Sequence, residues 1–350
     1  MTQKKPVFAP DQLRRFCAAV LQGANVAPEQ AEIIADSLVC ADLRGVGSHG
    51  VIRLETYVQR IEHGIMNLTA TMPVLQETPA TALIDAQNGF GQIAGVKGMD
   101  LALSKAENLG VGLVLVKNSN HFGIAAYYAR RATDRNMAAI VFTNAGPTMK
   151  PFGGSEALLG TNPFASAVPV KNGDPIVLDM ATSEVARGKL RKALANGESI
   201  PPGWAVDKDG NPTTDPKAGL EGTLCPMGGA KGSGLSLMID LFSGVLSGSC
   251  LTGDAKGVTD MSGAAGVGHM FLAMNPAMFS GTDAFLADTA AVAERIHGQK
   301  AAFGPKVFLP GEIEAENEAG NQERGVALTA SLVEILNGCA ATYGVPPLVF

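Results

Sequence analysis

The sequence predicts a mixed α/β (α+β) fold: a helical N-terminal unit followed by a mixed-sheet lobe. Three observations carry this. Residues 10–64 place apolar side chains at helical spacing. From about residue 72, short β-branched runs alternate with helical stretches, the pattern of a sheet covered by helices. No G-x-G-x-x-G fingerprint joins a strand to a helix; "GFGQIAG" has glycines at 89, 91 and 95, one residue off that spacing.

In "PDQLRRFCAAVLQGA", Leu13, Phe16, Cys17, Val20 and Leu21 follow a 3.6-residue period. "APEQAEIIADSLVCADLRG" repeats the pattern with acidic residues in its first turn. "GSHGVIRLETYVQRIEHG" reads as a third helix, running from residue 49 behind Ser48 as N-cap. "TPATALIDAQNGFGQIAG" reads as strand and turn, "VKGMDLALSKAENLG" as a helix ending at Gly110, "VGLVLVKN" as a strand, "IAAYYARRATDRN" as a helix and "MAAIVFTNA" as a strand. "ALLGTNPFASAVPV" and "DPIVLDMATS" add two strand-like runs. Residues 200–225, rich in Pro, Gly and Asp, read as an extended loop. "KGSGLSLMIDLFSGVLSG" reads as an apolar helix opened by glycines, and 248–268 as a long glycine-rich loop. "HMFLAMNP" is a strand, "DAFLADTAAVAERIHG" a helix, and 325–342 a last helix packing back on the N-terminal ones. The expected division is 1–72, completed by 320–350, and 73–319.

Composition narrows the function classes. Of 350 residues, 46% are hydrophobic and 17% charged, which marks a folded chain. The net charge of −6 argues against a nucleic-acid surface, and no basic tract suits a membrane surface. "MTQKKPVFAPDQLRRF" lacks the apolar core of a secretory signal, and no window is long and apolar enough to span a bilayer, so the expected location is the cytoplasm. Cys17, Cys40, Cys225, Cys250 and Cys339 are odd in number and scattered, so neither a disulfide framework nor a structural metal site is expected.

Three constellations can carry chemistry. On a helix running from residue 49, His49, Arg53 and Tyr57 share a face, with Ser48 at an end that favours anions. The arginine suits a carboxylate; a solvated helix face explains the same spacing. His121 stands where a strand gives way to a helix, a common place for active residues, and titrates near neutrality; local hydrogen bonding to "NSN" is the plainer explanation. "PMGGAKGSGLS" (226–236) puts glycines and a lysine at a helix start, a candidate phosphate cradle, but it is not a P-loop.

Taken in order, "ADLRGVGSHGVIRLETYVQRI", "NSNHFGIAAYYA", "PFGGSEALLGTNPFA", "VLDMATSEVARGKL", "IPPGWAVDKDGNPTTDP" and "GGAKGSGLSLMIDLFSGVL" resemble the malate/L-lactate dehydrogenase family of the non-Rossmann type, over roughly residues 10–315. That family includes ureidoglycolate and sulfolactate dehydrogenases, diketogulonate reductase and cyclic imino-acid reductases. The resemblance implies a mixed-sheet nicotinamide-binding lobe, hydride transfer between NAD (NADP being the alternative) and a small 2-hydroxy or 2-oxo acid, no metal, and a homodimer with its sites near the interface.

It also implies roles. His121 matches the proton donor and acceptor, Ser48 and His49 the "SHG" pair of the site, and Arg53 the substrate-carboxylate arginine; Tyr57 on the same face and Thr161 of "GTNP" are read as substrate contacts. Phe122, Gly123, Ile124 and Ala125 follow His121 in a cofactor-contacting segment; Asp179, Met180, Ala181 and Lys231 match dinucleotide-binding positions. Lys189 stands where the imino-acid reductases carry an acidic residue, which weighs against that branch. "PKVFLPGE" (305–312), similar to a cofactor-contacting stretch, holds one lysine and no arginine, which favours NAD. A non-catalytic ligand-binding protein and a metal-dependent lyase are the rivals from other classes.

Overall fold

Proline at the start of each of the first two helices presets the helical φ without losing a needed N–H. In the computed structural model, which describes residues 5–349, strand β1 (Val7–Phe8) leads into α1 (Pro10–Gly23) and α2 (Pro28–Leu43). Leu13, Phe16, Cys17, Val20 and Leu21 are all buried, as their period requires. A short 3₁₀ turn, Gly47–His49, precedes α3 (Arg53–Glu62). The third helix therefore begins four residues later than expected. Ile52 is its N-cap, and Ser48 lies outside it.

Strands β2 (Val74–Glu77) and β3 (Thr81–Asp85) open the main sheet, followed by α4 (Gly91–Leu109), β4 (Val111–Ser119), α5 (Ala126–Thr133) and β5 (Ala138–Thr143). "GQIAG", expected as turn, is the first stretch of α4, and Gly110 closes that helix. Strands β6 (Phe164–Val168) and β7 (Ile176–Met180) follow, then α6 (Arg187–Asn196). The expected loop 200–225 instead holds β8 (Ala205–Val206), β9 (Pro212–Thr213), α7 (Pro216–Glu221) and β10 (Thr223–Leu224). The small three-stranded sheet has the order β10-β8-β9. It closes a satellite core with Met149, Leu159, Leu190 and Ile200, and burial rather than local propensity orders it.

Helix α8 (Ala230–Asp240) continues into a π-helical turn, Leu241–Val245. After β11 (Val267–Met274) and α9 (Thr282–His297), α10 (Glu312–Arg324) precedes β12 (Val326–Ala327) and α11 (Ala330–Thr342). Helix α10 buries no residue, so no apolar period announced it.

The seven-stranded sheet runs β2-β3-β4-β11-β5-β6-β7; only β3 and β4 are parallel. Strand β11, late in the chain, is inserted between β4 and β5. Helices α4 and α5 cover one face through Met99, Leu103, Ala129 and Ala132 against Val114, Val116, Val141 and Phe271. A second core joins α1, α2 and α3 to Val326, Leu328, Val333 and Leu336. The apolar tail packs within its own chain: Leu348 is buried in that core, and its N–H donates to Asn337. Among the described residues no helix is long and apolar enough to cross a membrane, and no group of three or more His, Cys, Asp or Glu could hold a metal.

Candidate active site

Asp42, near the end of α2, shapes the loop that carries Ser48 and His49. Its carboxylate accepts the Val51 N–H at 2.7 Å. A Cβ on Gly50 would lie 2.1 Å from that carboxylate, so any larger residue there would push Asp42 off the Val51 N–H. Burial pushes the Asp42 carboxyl up to about 7, against the opposing Val51 hydrogen bond. Ser48 Oγ lies 2.9 Å from His49 Nδ1, and the His49 ring stacks on His121, centroids 5.4 Å apart.

Helix α3 contributes Arg53 and Tyr57, one turn apart on one face. Arg53 Nε donates to the Ser48 carbonyl at 2.7 Å. The Tyr57 hydroxyl, expected at the substrate, lies instead 2.8 Å from His121 Nδ1 and accepts from Gln92 Nε2 at 2.7 Å. The Gly123 N–H also donates to Nδ1, at 3.4 Å, so Nδ1 is an acceptor here, Tyr57 donates to it, and the neutral imidazole carries its proton on Nε2. Among the described residues no protein group bonds Nε2.

The "NSN" side chains do not hold the imidazole. Ser119 Oγ pairs with His269 Nε2 at 2.8 Å, and Asn118 donates to Asp85 at 3.0 Å. Asn120 donates to Asn88 and Gly89, and its Oδ1 accepts from Arg60 at 3.1 Å. These bonds fix the backbone beneath His121. Gly91 opens α4 against the same backbone: a Cβ there would lie 2.3 Å from the Asn120 carbonyl oxygen and 2.6 Å from that of His121. Behind the segment, Phe122 stacks on His269 at 4.5 Å. Burial first, then the charges of His49 and Arg53, hold His121 well below the usual histidine range; burial and then Arg53 lower His49 to about 4.

The predicted cofactor positions meet on the adjoining side. Asp179 Oδ2 accepts the Ala126 N–H at 2.8 Å, bracing the end of β7 against the start of α5 just after "HFGIA". Thr161 joins that side, its carbonyl accepting from Thr182 at 2.9 Å; among the described residues no hydrogen bond ties it to His121. Met227 donates to the Thr182 carbonyl at 2.9 Å, and Gly228 N–H to Glu184 at 3.3 Å. These bonds set exposed Lys231, on the first turn of α8, beside the segment after Ala181.

Sequence reasoning missed Asp42, Gln92, Arg60, Arg187 and Arg191. Gly188 abuts the site, its Cβ position 3.8 Å from Ser48 Cβ. Burial and then the Arg191 charge lower the Arg187 guanidinium; Arg53 is lowered by burial, with Arg191 opposing Tyr57 as a lesser influence. The first turn of α6 holds no acidic residue. Cations at a helix N-terminus oppose its dipole, and that conflict was the one signal available in the sequence.

A family model described as malate/L-lactate dehydrogenase matches residues 8–337. The L-sulfolactate dehydrogenase of Methanocaldococcus jannaschii is 42% identical over 312 residues, 89% of this chain and 90% of that protein. A solved sulfolactate dehydrogenase structure from that organism superposes with a TM-score of 0.92 at 39% identity, covering 97% of this chain and 98% of that one. The malate/(S)-sulfolactate dehydrogenase of Methanothermus fervidus is 38% identical over 95% of this chain and 97% of its own length. The structure of malate dehydrogenase from Pyrococcus horikoshii gives a TM-score of 0.90 at 37% identity, covering 99% and 98%.

Proposed function

This chain belongs to the malate/L-lactate dehydrogenase family, and we propose that within it the protein is an NAD-dependent dehydrogenase of 2-hydroxy acids bearing a second anionic group, of which malate and sulfolactate are the chemistries that fit. It is an oxidoreductase acting on small 2-hydroxy acids. The observation that carries the finer reading is His121, held at Nδ1 by Tyr57 with Nε2 unbound, beside Arg53.

When the 2-hydroxy acid is oxidised, the nicotinamide, when bound, supplies the acceptor for the C2 hydride. His121 takes the hydroxyl proton at Nε2 from the neutral form that carries its own proton on Nδ1; in the reverse direction the imidazolium so formed returns the Nε2 proton to the carbonyl oxygen. Among the described residues Arg53 has only its Nε engaged, which leaves both terminal nitrogens to pair the C1 carboxylate and orient C2. Arg191 has no hydrogen-bond or ion-pair partner among the described residues, and its charge acts on Arg53 and Arg187, so a carboxylate or sulfonate beyond C2 suits this side of the site.

The residues present fit a dinucleotide. Gly228 and Gly229, both at positive φ, turn the chain into α8 with their own N–H groups engaged by Glu184 and Pro226; among the described residues the Ala230 and Lys231 N–H groups and the Lys231 ammonium have no hydrogen-bond partner, an arrangement suited to a diphosphate. Lys306 is engaged, 2.7 Å from Glu316, so the 305–312 stretch offers no free cation to a 2′-phosphate; this supports NAD over NADP. Lys189 lies over the Trp204 ring at 6.0 Å and leaves the imino-acid chemistry without an acidic group at that position.

The active unit in this reading is a cytoplasmic homodimer. Met238, Phe242, Val245 and Leu246 fall at one-face helical spacing along α8 and its π-helical end, and all are exposed. A second copy would cover that stripe, twofold dimers being the commonest assembly. The experiment is a panel of oxaloacetate, sulfopyruvate and pyruvate with NADH and with NADPH, followed by nicotinamide absorbance. Preferential turnover of the dianionic acids with NADH is the expected result; equal turnover of pyruvate refutes the second-anion reading.

A further inference from the structure

Gln92 is fully buried at the second residue of α4 and reaches the site only through Tyr57. Its Nε2 donates to the Tyr57 hydroxyl, yet its Oε1 is a buried acceptor without a hydrogen-bond partner. An unpaired buried acceptor costs about 1–3 kcal/mol, so such groups call for an explanation. Among the described residues no second hydrogen bond pins the amide, so turning it exchanges only the hydrogen bond to Tyr57.

We propose that Gln92 is a positioning residue that selects the tautomer of His121 by turning its amide against Tyr57. This rests on the dehydrogenase reading above. With the amide as found, Gln92 N–H points at the Tyr57 oxygen, Tyr57 O–H points at Nδ1, and His121 presents Nε2–H to a bound carbonyl oxygen. With the amide turned, Tyr57 O–H donates to Gln92 Oε1, and Nδ1–H donates to the Tyr57 oxygen. Nε2 is then a lone pair able to accept the hydroxyl proton. The same orientation serves the imidazolium that forms as the C2–H electron pair leaves to the nicotinamide. A glutamine supplies both orientations; methionine supplies neither, and an ionised glutamate only the second. The other titratable or charged groups facing His121 are His49, Arg53, Arg60 and His269, none of which bonds its Nδ1; the Gly123 N–H, 3.4 Å from Nδ1, favours the first tautomer and gives up its acceptor in the second.

The test uses the full chain with ¹⁵N-labelled histidine. Long-range ¹⁵N–¹H correlation spectra report the His121 tautomer without cofactor or turnover. Wild type and Gln92→Met are expected to carry the proton on Nε2, and Gln92→Glu on Nδ1. In 2-hydroxy acid oxidation Gln92→Met lowers kcat about tenfold or more, with KM and NADH affinity nearly unchanged. In Gln92→Glu the pKa of the base in the kcat/KM profile rises by about one unit. In a Tyr57→Phe background Gln92→Met has no further effect. An unchanged tautomer in Gln92→Glu, or additive Tyr57 and Gln92 effects, overturns the proposal. Absence of hydride transfer by wild type on every hydroxy acid would sink the functional reading instead, with the tautomer measurement still decisive for Gln92.

Discussion

The Tyr57 hydroxyl lies 2.8 Å from His121 Nδ1, linking residues 64 positions apart in the chain. Helix α3 of the N-terminal core thereby fixes the imidazole at the strand–helix junction of the main sheet. The bond leaves Nε2 as the ring nitrogen available to a reacting oxygen, so the orientation of the proton-transfer group depends on how these two parts of the fold pack.

Replacing His121 by alanine is expected to lower kcat by about 10²–10⁴, the usual value of positioned acid–base help. Cofactor affinity should stay within a few-fold, which NADH fluorescence titration measures. A kcat near wild type would remove His121 from proton transfer.

Arg53→Lys keeps a charge but loses the guanidinium fork, so KM for every 2-hydroxy acid should rise. Arg191→Ala should act selectively. Turnover of oxaloacetate or sulfopyruvate should fall by about tenfold in kcat/KM, on the scale of one charge-assisted hydrogen bond, while pyruvate is little affected. Uniform losses across the panel would place Arg191 outside the specificity site.

His269 is fully buried between Thr143 and Ser119, and burial lowers it to about 3. The unfolded chain takes up its proton near the ordinary value of 6.5, the folded chain only near 3. Its contribution to stability is therefore present above pH 6.5 and is lost as pH falls toward 3, by about 1.4 kcal/mol per unit. His269→Gln lacks this slope, so the difference between the wild-type and variant unfolding free energies, measured by urea titration from pH 7 to 4, should shrink by up to about 1.4 kcal/mol per unit as pH falls below 6.5. A pH-independent difference would contradict the assignment.

Leu246→Glu puts a charge into the exposed stripe of α8 and its continuation, where Leu246 is 58% exposed. The variant should run as a folded 36.1 kDa monomer by light scattering, and wild type at twice that mass. A monomeric, fully active wild type would refute the dimer.

Much of this molecule was legible locally. The buried period of α1 and the glycine closing α4 are short-range effects, as is the run of β4. His121 could likewise be picked out from its strand–helix junction and from the family resemblance. Its bond to Tyr57 and the glutamine behind that bond could not. Gln92 comes from a stretch whose glycines read as a turn, and it became helical because Gly91 lets α4 start against the backbone of 120 and 121. Asp42 needed Gly50 brought within contact, and the place of β11 between β4 and β5 joins segments more than a hundred residues apart. Helix α10 buries nothing, so no hydrophobic period could reveal it. Periodicity and capping record each element's own neighbourhood, whereas hydrogen-bond partners across the core depend on close packing between distant segments, and that packing exists only once the chain has folded.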